Sequence, residues 1–184
     1  MSILERWIGF IFRVATGSAG LRNRLTPIIG LLFFAIIGLF IAVAVILDRV
    51  AGFLPFPPEP WHLIAGVPLL VIGLSVMLWC VAVFRRTKGT PVPINPPPRL
   101  VCTGLYAYVR NPMLTGIFAW MFGLSLLLRS SASLVIFTPL FILLNVLELR
   151  WIEEPELARR LGEDYIHYRK QVPMFLPYRK KFGE

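Results

Sequence analysis

The chain has 184 residues, 57% of them hydrophobic and 16% charged, with a mean hydropathy of +0.71. A water-soluble domain carries about 25% charged and about 45–50% apolar residues, so this composition excludes disorder, a fibrous protein and an ordinary cytosolic globule. The net charge is +9. In a soluble chain such an excess would suggest nucleic acid, so the placement of the basic residues decides what it means.

At the N-terminus Ile3, Leu4, Trp7, Ile8, Ile11, Val14 and Ala15 recur at helical spacing, with Glu5, Arg6 and Arg13 on the other side. The apolar stretch between Arg6 and Arg13 is too short to cross a bilayer, and residues 1–24 read as an interfacial helix whose role is anchoring. Four runs without a charged side chain follow, 28–47, 63–84, 111–128 and 130–147, of 20, 22, 18 and 18 residues. A bilayer core needs about 20 apolar helical residues, within a range of about 17–25. Spanning helices are therefore expected at 27–47, 63–84, 112–128 and 131–148. The first run starts too deep, is too long and lacks the small-residue cleavage site of a signal peptide. The expected fold class is an all-α integral membrane protein, one domain with four transmembrane helices, the N-terminal interfacial helix and a cytoplasmic C-terminal helix in a tail over 149–184.

The loops set the orientation. Arg6, Arg13, Arg22 and Arg24 precede the first span, Arg85, Arg86, Lys88, Arg99 and Arg110 follow the second, and eight more basic residues follow the fourth. Only Arg49 and Arg129 fall on the other side, so 17 of 19 basic residues share one face, which the positive-inside rule makes cytoplasmic. Both termini are expected inside, and the basic excess becomes a topology signal with some attraction to anionic lipid. A nucleic-acid role has little left to support it.

Cysteine and histidine are sparse. Cys80 lies in the second span and Cys102 in a loop, and His62 and His167 are far apart, which is no disulfide framework and no metal-ligand spacing. No charged residue sits near the middle of a span, against a proton relay or ion pathway, and no inverted repeat of the transporter kind is present. The polar chemistry is therefore expected at the cytoplasmic membrane face.

Two segments there are unusual. Over 85–111, five prolines between Pro91 and Pro98 exclude a helix and favour extended backbone. Gly104, Tyr106, Tyr108 and Arg110 then lead into the third span through Asn111-Pro112, a strong helix-start signal. The free N–H groups of that helix start suit a carboxylate or phosphate. The second segment is Glu148-Leu149-Arg150-Trp151-Ile152-Glu153-Glu154-Pro155, where the fourth span leaves the bilayer. Pro155 removes a backbone donor, so a kink or a new helix is expected there, with Glu153 and Glu154 at the break and Arg150 within ion-pair reach of both.

Gly104-Leu105-Tyr106, Arg110-Asn111-Pro112, Gly116, Glu153-Glu154, Gly162, Tyr165, Tyr168 and Val172-Pro173, in this order and spacing, resemble the isoprenylcysteine carboxyl methyltransferase family. The Glu-Glu-Pro run is also similar to the related phospholipid N-methyltransferases. The resemblance covers about the C-terminal half, from Lys88 onward. It implies an integral membrane methyltransferase that uses S-adenosylmethionine, bound under the cytoplasmic ends of the last two spans. The family's cofactor positions match Pro98, Arg99, Leu100, Val101, Tyr106, Asn111, Pro112, Met113, Leu114 and Glu153, with Glu154 beside it. Asn111 stands where the family has histidine and Leu114 where it has tyrosine, and the Gly-x-Gly pattern of the phospholipid branch is absent. The family's substrate-side arginine falls on Leu149; Arg150, one residue on, and Arg110 are the candidate catalytic residues.

The resulting expectation is methyl transfer to a lipidic or otherwise hydrophobic small molecule, with membrane lipids as partners and neither nucleic acid nor metal. An NADPH-dependent enzyme similar to the sterol reductases and a noncatalytic membrane scaffold are the alternatives.

Overall fold

The computed structural model describes residues 3–177 and 182–183. The outermost part of the expected interfacial helix (1–2) and part of the expected tail (178–181 and 184) lie outside the described residues. Within them the chain is all-helical: α1 Ile3–Ala15, α2 Ala19–Ala51, α3 Trp61–Arg86, α4 Pro112–Leu127, α5 Thr138–Glu148, α6 Glu154–Leu161 and α7 Glu163–Gln171. Three continuous helices, Ala19–Ala51, Trp61–Arg86 and Ser133–Leu161, are long and apolar enough to cross a membrane. Most of their surface faces outward, including Leu31, Val50, Ile64 and Val135, as an apolar surrounding requires. α4 is shorter and equally apolar; its 16 residues rise about 24 Å, somewhat less than the hydrocarbon thickness.

The N-terminal boundary differs from the expectation. The interfacial segment was expected to reach residue 24, but α1 stops at Ala15 and α2 is already helical at Ala19. Residues 19–24 are thus the first turns of the long helix. Pro27 sits inside α2 without ending it.

α3 and α4 form the tightest pair because both are notched. Gly73 faces Gly116 and Gly66 faces Gly123, each pair seven residues from the other on its helix. A Cβ on Gly116 would lie 2.9 Å from the Gly73 carbonyl oxygen, and one on Gly73 would lie 2.6 Å from the Trp120 nitrogen. Glycine is what allows the two backbones to touch. Across this pair α2 and α5 close a core of Ile37, Met77, Ile117, Phe118, Met121 and Phe141. Phe141 meets Phe33, Phe40 and Phe118 edge-on, with ring centroids 5.8, 5.7 and 6.3 Å apart.

At the end away from the proline-rich loop, Arg129 takes a left-handed conformation (φ 52°) and turns the chain from α4 into the next helix. Asp48 of α2 accepts hydrogen bonds from the Ser130 hydroxyl and, at 2.8 Å, the Ala132 N–H. A carboxylate on one helix thus satisfies the first donors of another. Just inside, the buried Ser125 hydroxyl lies 2.7 Å from that of Ser133 and 3.2 Å from that of Thr138. These hydroxyls sit where Ser133–Phe137 widens into a π turn.

A second π turn, Leu149–Glu153, lies at the opposite end and passes directly into α6, with Pro155 at the start. The break expected at Pro155 is thus a change of helical pitch at the residues just before it. Pro155 cannot donate to the turn before it, and the widened π coil is where the helix accommodates that missing bond. α1 packs on this π turn and on α6, with the Arg159 guanidinium 4.4 Å from the Phe12 ring centroid.

Candidate functional site

A cavity of about 520 Å³ lies where α2, α4, the proline-rich loop, the second π turn and α6 meet. That size suits a small-molecule or cofactor site. Ile29, Phe33 and Phe34 of α2 make an apolar wall, and Met113, Leu114 and Ile117 of α4 face into the same space. The same lining carries the polar side chains of Arg99, Arg110, Asn111, Asn145, Glu148, Glu153, Glu154 and Arg160.

The π turn explains why two of those carboxylates share a wall. In an α-helix, residues five apart point about 140° away from each other. An i to i+5 hydrogen-bond period brings them back to one face. Glu148 and Glu153 flank the widened coil Leu149–Glu153 in this way, and both line the cavity. Among the described residues neither makes a hydrogen bond or an ion pair; Glu148, Glu156 and Glu154 are like charges near Glu153, and Arg160 is the balancing cation. Arg160 is itself held by Glu156 at 2.9 Å. Two carboxyl groups without a protein partner in one cavity can accept hydrogen bonds from a cationic group.

The start of α4 supplies the opposite polarity. Pro112 is the first helical residue, and Asn111 makes no side-chain cap. The N–H groups of Met113 and Leu114 therefore have no helical acceptor, and both residues line the cavity. Negative ligand groups are favoured there.

The proline-rich loop forms the rim. It was expected to run extended, but Thr90 N–H donates to the Asn95 carbonyl (2.8 Å) and Asn95 N–H to that of Val92 (2.9 Å), closing a compact turn. Proline leaves the loop few donors, and these two bonds use those at its ends. The chain then re-enters through Gly104 (φ +61°), where an added Cβ would overlap the Trp79 indole. That fit places Tyr106 under the site: it is buried, stacked on Trp79 with centroids 6.2 Å apart, and edge-on to Phe84. Burial pushes its phenol well above the ordinary tyrosine range, so it stays protonated.

The C-terminal segment closes the site like a strap. Tyr168 donates its hydroxyl to the Tyr106 carbonyl at 2.6 Å, and burial holds that hydroxyl protonated by raising its pKa. The N–H groups of Arg110 and Asn111 donate to the carbonyls of Pro173 (2.8 Å) and Met174 (3.1 Å). The Arg110 guanidinium donates to Glu154 Oε1 through Nε (3.1 Å) and Nη2 (2.5 Å), and through Nη1 to the Val172 carbonyl (2.5 Å) and the Arg169 carbonyl (3.1 Å).

Of the residues singled out in the sequence, Arg99, Leu100, Val101, Tyr106, Arg110, Asn111, Met113, Leu114, Glu153 and Glu154 are brought to the cavity wall. Pro98 is exposed on the rim and Pro112 is buried behind the wall. Arg150 is exposed and lines a neighbouring cleft instead, while Leu149, buried, faces the cavity. The carboxylate of Glu154 is already engaged by Arg110 and, at 3.8 Å, by Arg169. Glu148, Asn145 and Arg160 were not anticipated. Glu148 in particular has no signal in an α-helical reading, because its pairing with Glu153 exists only through the π turn.

Residues 61–164 match the family model of the phospholipid methyltransferases, more than half of the chain, and the chain belongs to that family. It is similar to the protein-S-isoprenylcysteine O-methyltransferases of Schizosaccharomyces pombe (38% identical over 79 residues, 42% of this chain and 33% of the relative) and Saccharomyces cerevisiae (38% over 80 residues, 43% and 33%). A methanethiol S-methyltransferase of Crocosphaera subtropica is 28% identical over 95 residues, 52% of this chain and 33% of the relative. The match thus spans about a third of the length of these relatives. No solved structure gives a significant match. With three helices able to cross a bilayer, the chain is an integral membrane protein.

Proposed function

We propose that the protein is a membrane-embedded methyltransferase that uses S-adenosylmethionine and acts on a lipidic or hydrophobic small-molecule acceptor. The observation that carries this reading is the opposed polarity of the cavity: unpartnered Glu148 and Glu153 on one wall, and the bare N–H groups of Met113 and Leu114 on another. A zwitterionic amino-acid moiety requires that pair of features, and the volume suits a nucleoside attached to it. Glu153 would accept hydrogen bonds from the ammonium, and the start of α4 would hold the carboxylate. Arg99, Leu100, Val101 and Tyr106 would form the cofactor's remaining wall. When bound, the cofactor supplies a methyl group already activated by its sulfonium, so the chain mainly has to orient the reactants and exclude water. Ile29, Phe33 and Phe34 would take the apolar part of the acceptor, facing the lipid side of the cavity. Arg110 would act by holding the strap over the site, through Glu154 and the Val172 carbonyl.

The detergent-solubilised protein should melt at a higher temperature with S-adenosylmethionine, by about 2.7 kcal/mol of stabilisation at a hundredfold excess over Kd. NADPH should leave it unchanged. A shift with NADPH alone would replace this reading with a reductase, and no shift with either would favour a scaffold.

The same proposal includes four crossings with both termini cytoplasmic, supported by the 17-to-2 partition of basic residues. In sealed vesicles, a cysteine introduced at Ser131 should label only from the side opposite one introduced at Asp164. Labelling of both from one side would overturn the topology.

A further inference from the structure

A second cleft, of about 480 Å³, adjoins the cavity, and Arg110 and Glu154 line both. Its remaining wall is Arg150, Arg169, Lys170 and the segment from Val172 to Met174. Three arginines, Arg110, Arg150 and Arg169, thus face one carboxylate, and that carboxylate is bound to Arg110. Arg150 makes no hydrogen bond or ion pair among the described residues and is exposed. Arg169 reaches Glu154 only at 3.8 Å and keeps 41% of its side chain exposed. Cations gathered without matching carboxylates repel one another, an arrangement that an anion relieves.

The setting indicates the source of that anion. Arg150 follows the uncharged run 130–147 on the helix Ser133–Leu161, next to Trp151, which is 56% exposed. α1, packed on this same π turn, turns Trp7 and Phe10 outward. Leu176, just beyond the cleft, is 72% exposed. Exposed tryptophans beside arginine just past the charge-free run of a spanning helix mark the headgroup layer. Basic pockets at this level take lipid phosphates.

We propose that this cleft binds the phosphate of an anionic membrane lipid, with Arg150 and Arg169 as its principal ligands. The planar guanidinium suits a phosphate through paired N–H donors. Since Arg110 and Glu154 form the shared wall, an occupied cleft would also steady the strap over the cavity. The inference does not depend on methyl transfer in the neighbouring cavity.

The test uses the full chain in nanodiscs of phosphatidylcholine alone or mixed with phosphatidylglycerol. Phosphatidylglycerol should raise the melting temperature of the wild type and remain bound in native mass spectra. The double variant Arg150→Gln/Arg169→Gln should lose the thermal shift and retain phosphatidylglycerol about 10- to 30-fold less well, from about 1 kcal/mol for each basic residue. Arg150→Lys/Arg169→Lys should retain more lipid than the Gln pair and less than the wild type, which separates lost charge from damaged fold. Arg85→Gln/Arg86→Gln removes the same charge elsewhere and should retain lipid as the wild type does. Equal loss in that control would reduce the effect to diffuse surface attraction and overturn the site. So would equal retention in the wild type and Arg150→Gln/Arg169→Gln. A thermal shift with inorganic phosphate in neutral nanodiscs matching that of phosphatidylglycerol would assign the cleft to a free anion and overturn the lipid assignment.

Discussion

Arg110→Met should lower the stability of the folded protein by about 3–5 kcal/mol, the range for a buried ion pair that loses one partner. The side chains of Arg110 and Glu154 are only 12% and 9% exposed, so solvent screening does little to reduce that figure. Two strap carbonyls, those of Val172 and Arg169, lose their guanidinium donor in the same step. The thermal midpoint should therefore fall, and limited proteolysis should open the chain around residues 169–174 first. Arg110→Met/Glu154→Leu should recover much of the loss, because no charge is then left buried alone. A single variant that melts with the wild type would mean that the strap is held by its backbone and tyrosine contacts alone.

Glu153→Gln should leave folding intact and reduce S-adenosylmethionine affinity by about 10- to 100-fold, since a hydrogen bond to a charged group contributes roughly 1.5–3 kcal/mol. The same substitution should leave the melting temperature of the ligand-free protein unchanged or slightly raised, because it replaces a carboxyl that has no hydrogen-bond or ion-pair partner among the described residues with a neutral amide of the same shape. Lost affinity without lost stability separates a binding carboxylate from a solvated helix end, whose loss would move neither. Titration calorimetry and melting of the same preparations give both numbers. Unchanged cofactor affinity would remove Glu153 from the site. Glu148→Gln belongs in the same series, and a comparable loss there would show that both carboxylates hold the cofactor.

The helices were legible because a hydrocarbon surrounding imposes simple demands on a sequence. A span needs about 20 residues without charge, and the runs 28–47, 63–84 and 130–147 fall in the three helices long and apolar enough to cross, without help from distant contacts. The breaks were legible for a similar reason. Proline acts locally through its missing N–H and fixed φ, so the α4 start at Pro112 and the change of pitch before Pro155 could be read from a few residues. The extent of α1 differs from the expectation although Gly17 and Ser18, a helix stop and an N-cap residue, mark the boundary that the structure shows. Hydropathy alone places no boundary there, but the Gly17-Ser18 pair does.

The sequence by itself determined that this is a helical membrane protein and where α4 starts and the helix before Pro155 changes pitch. Those are consequences of composition and of short-range backbone rules. Only the tertiary structure decided which polar groups meet. Glu148 joins Glu153 because the helix between them widens to a π coil. Arg110 serves Glu154 and the strap because residues 172–174 return to the start of α4. Arg150 and Leu149, neighbours in sequence, face different clefts because adjacent helical residues point about 100° apart. Pairings of this kind depend on helical pitch and on contacts between residues 44 to 62 positions apart, where no local pattern in the chain carries the information.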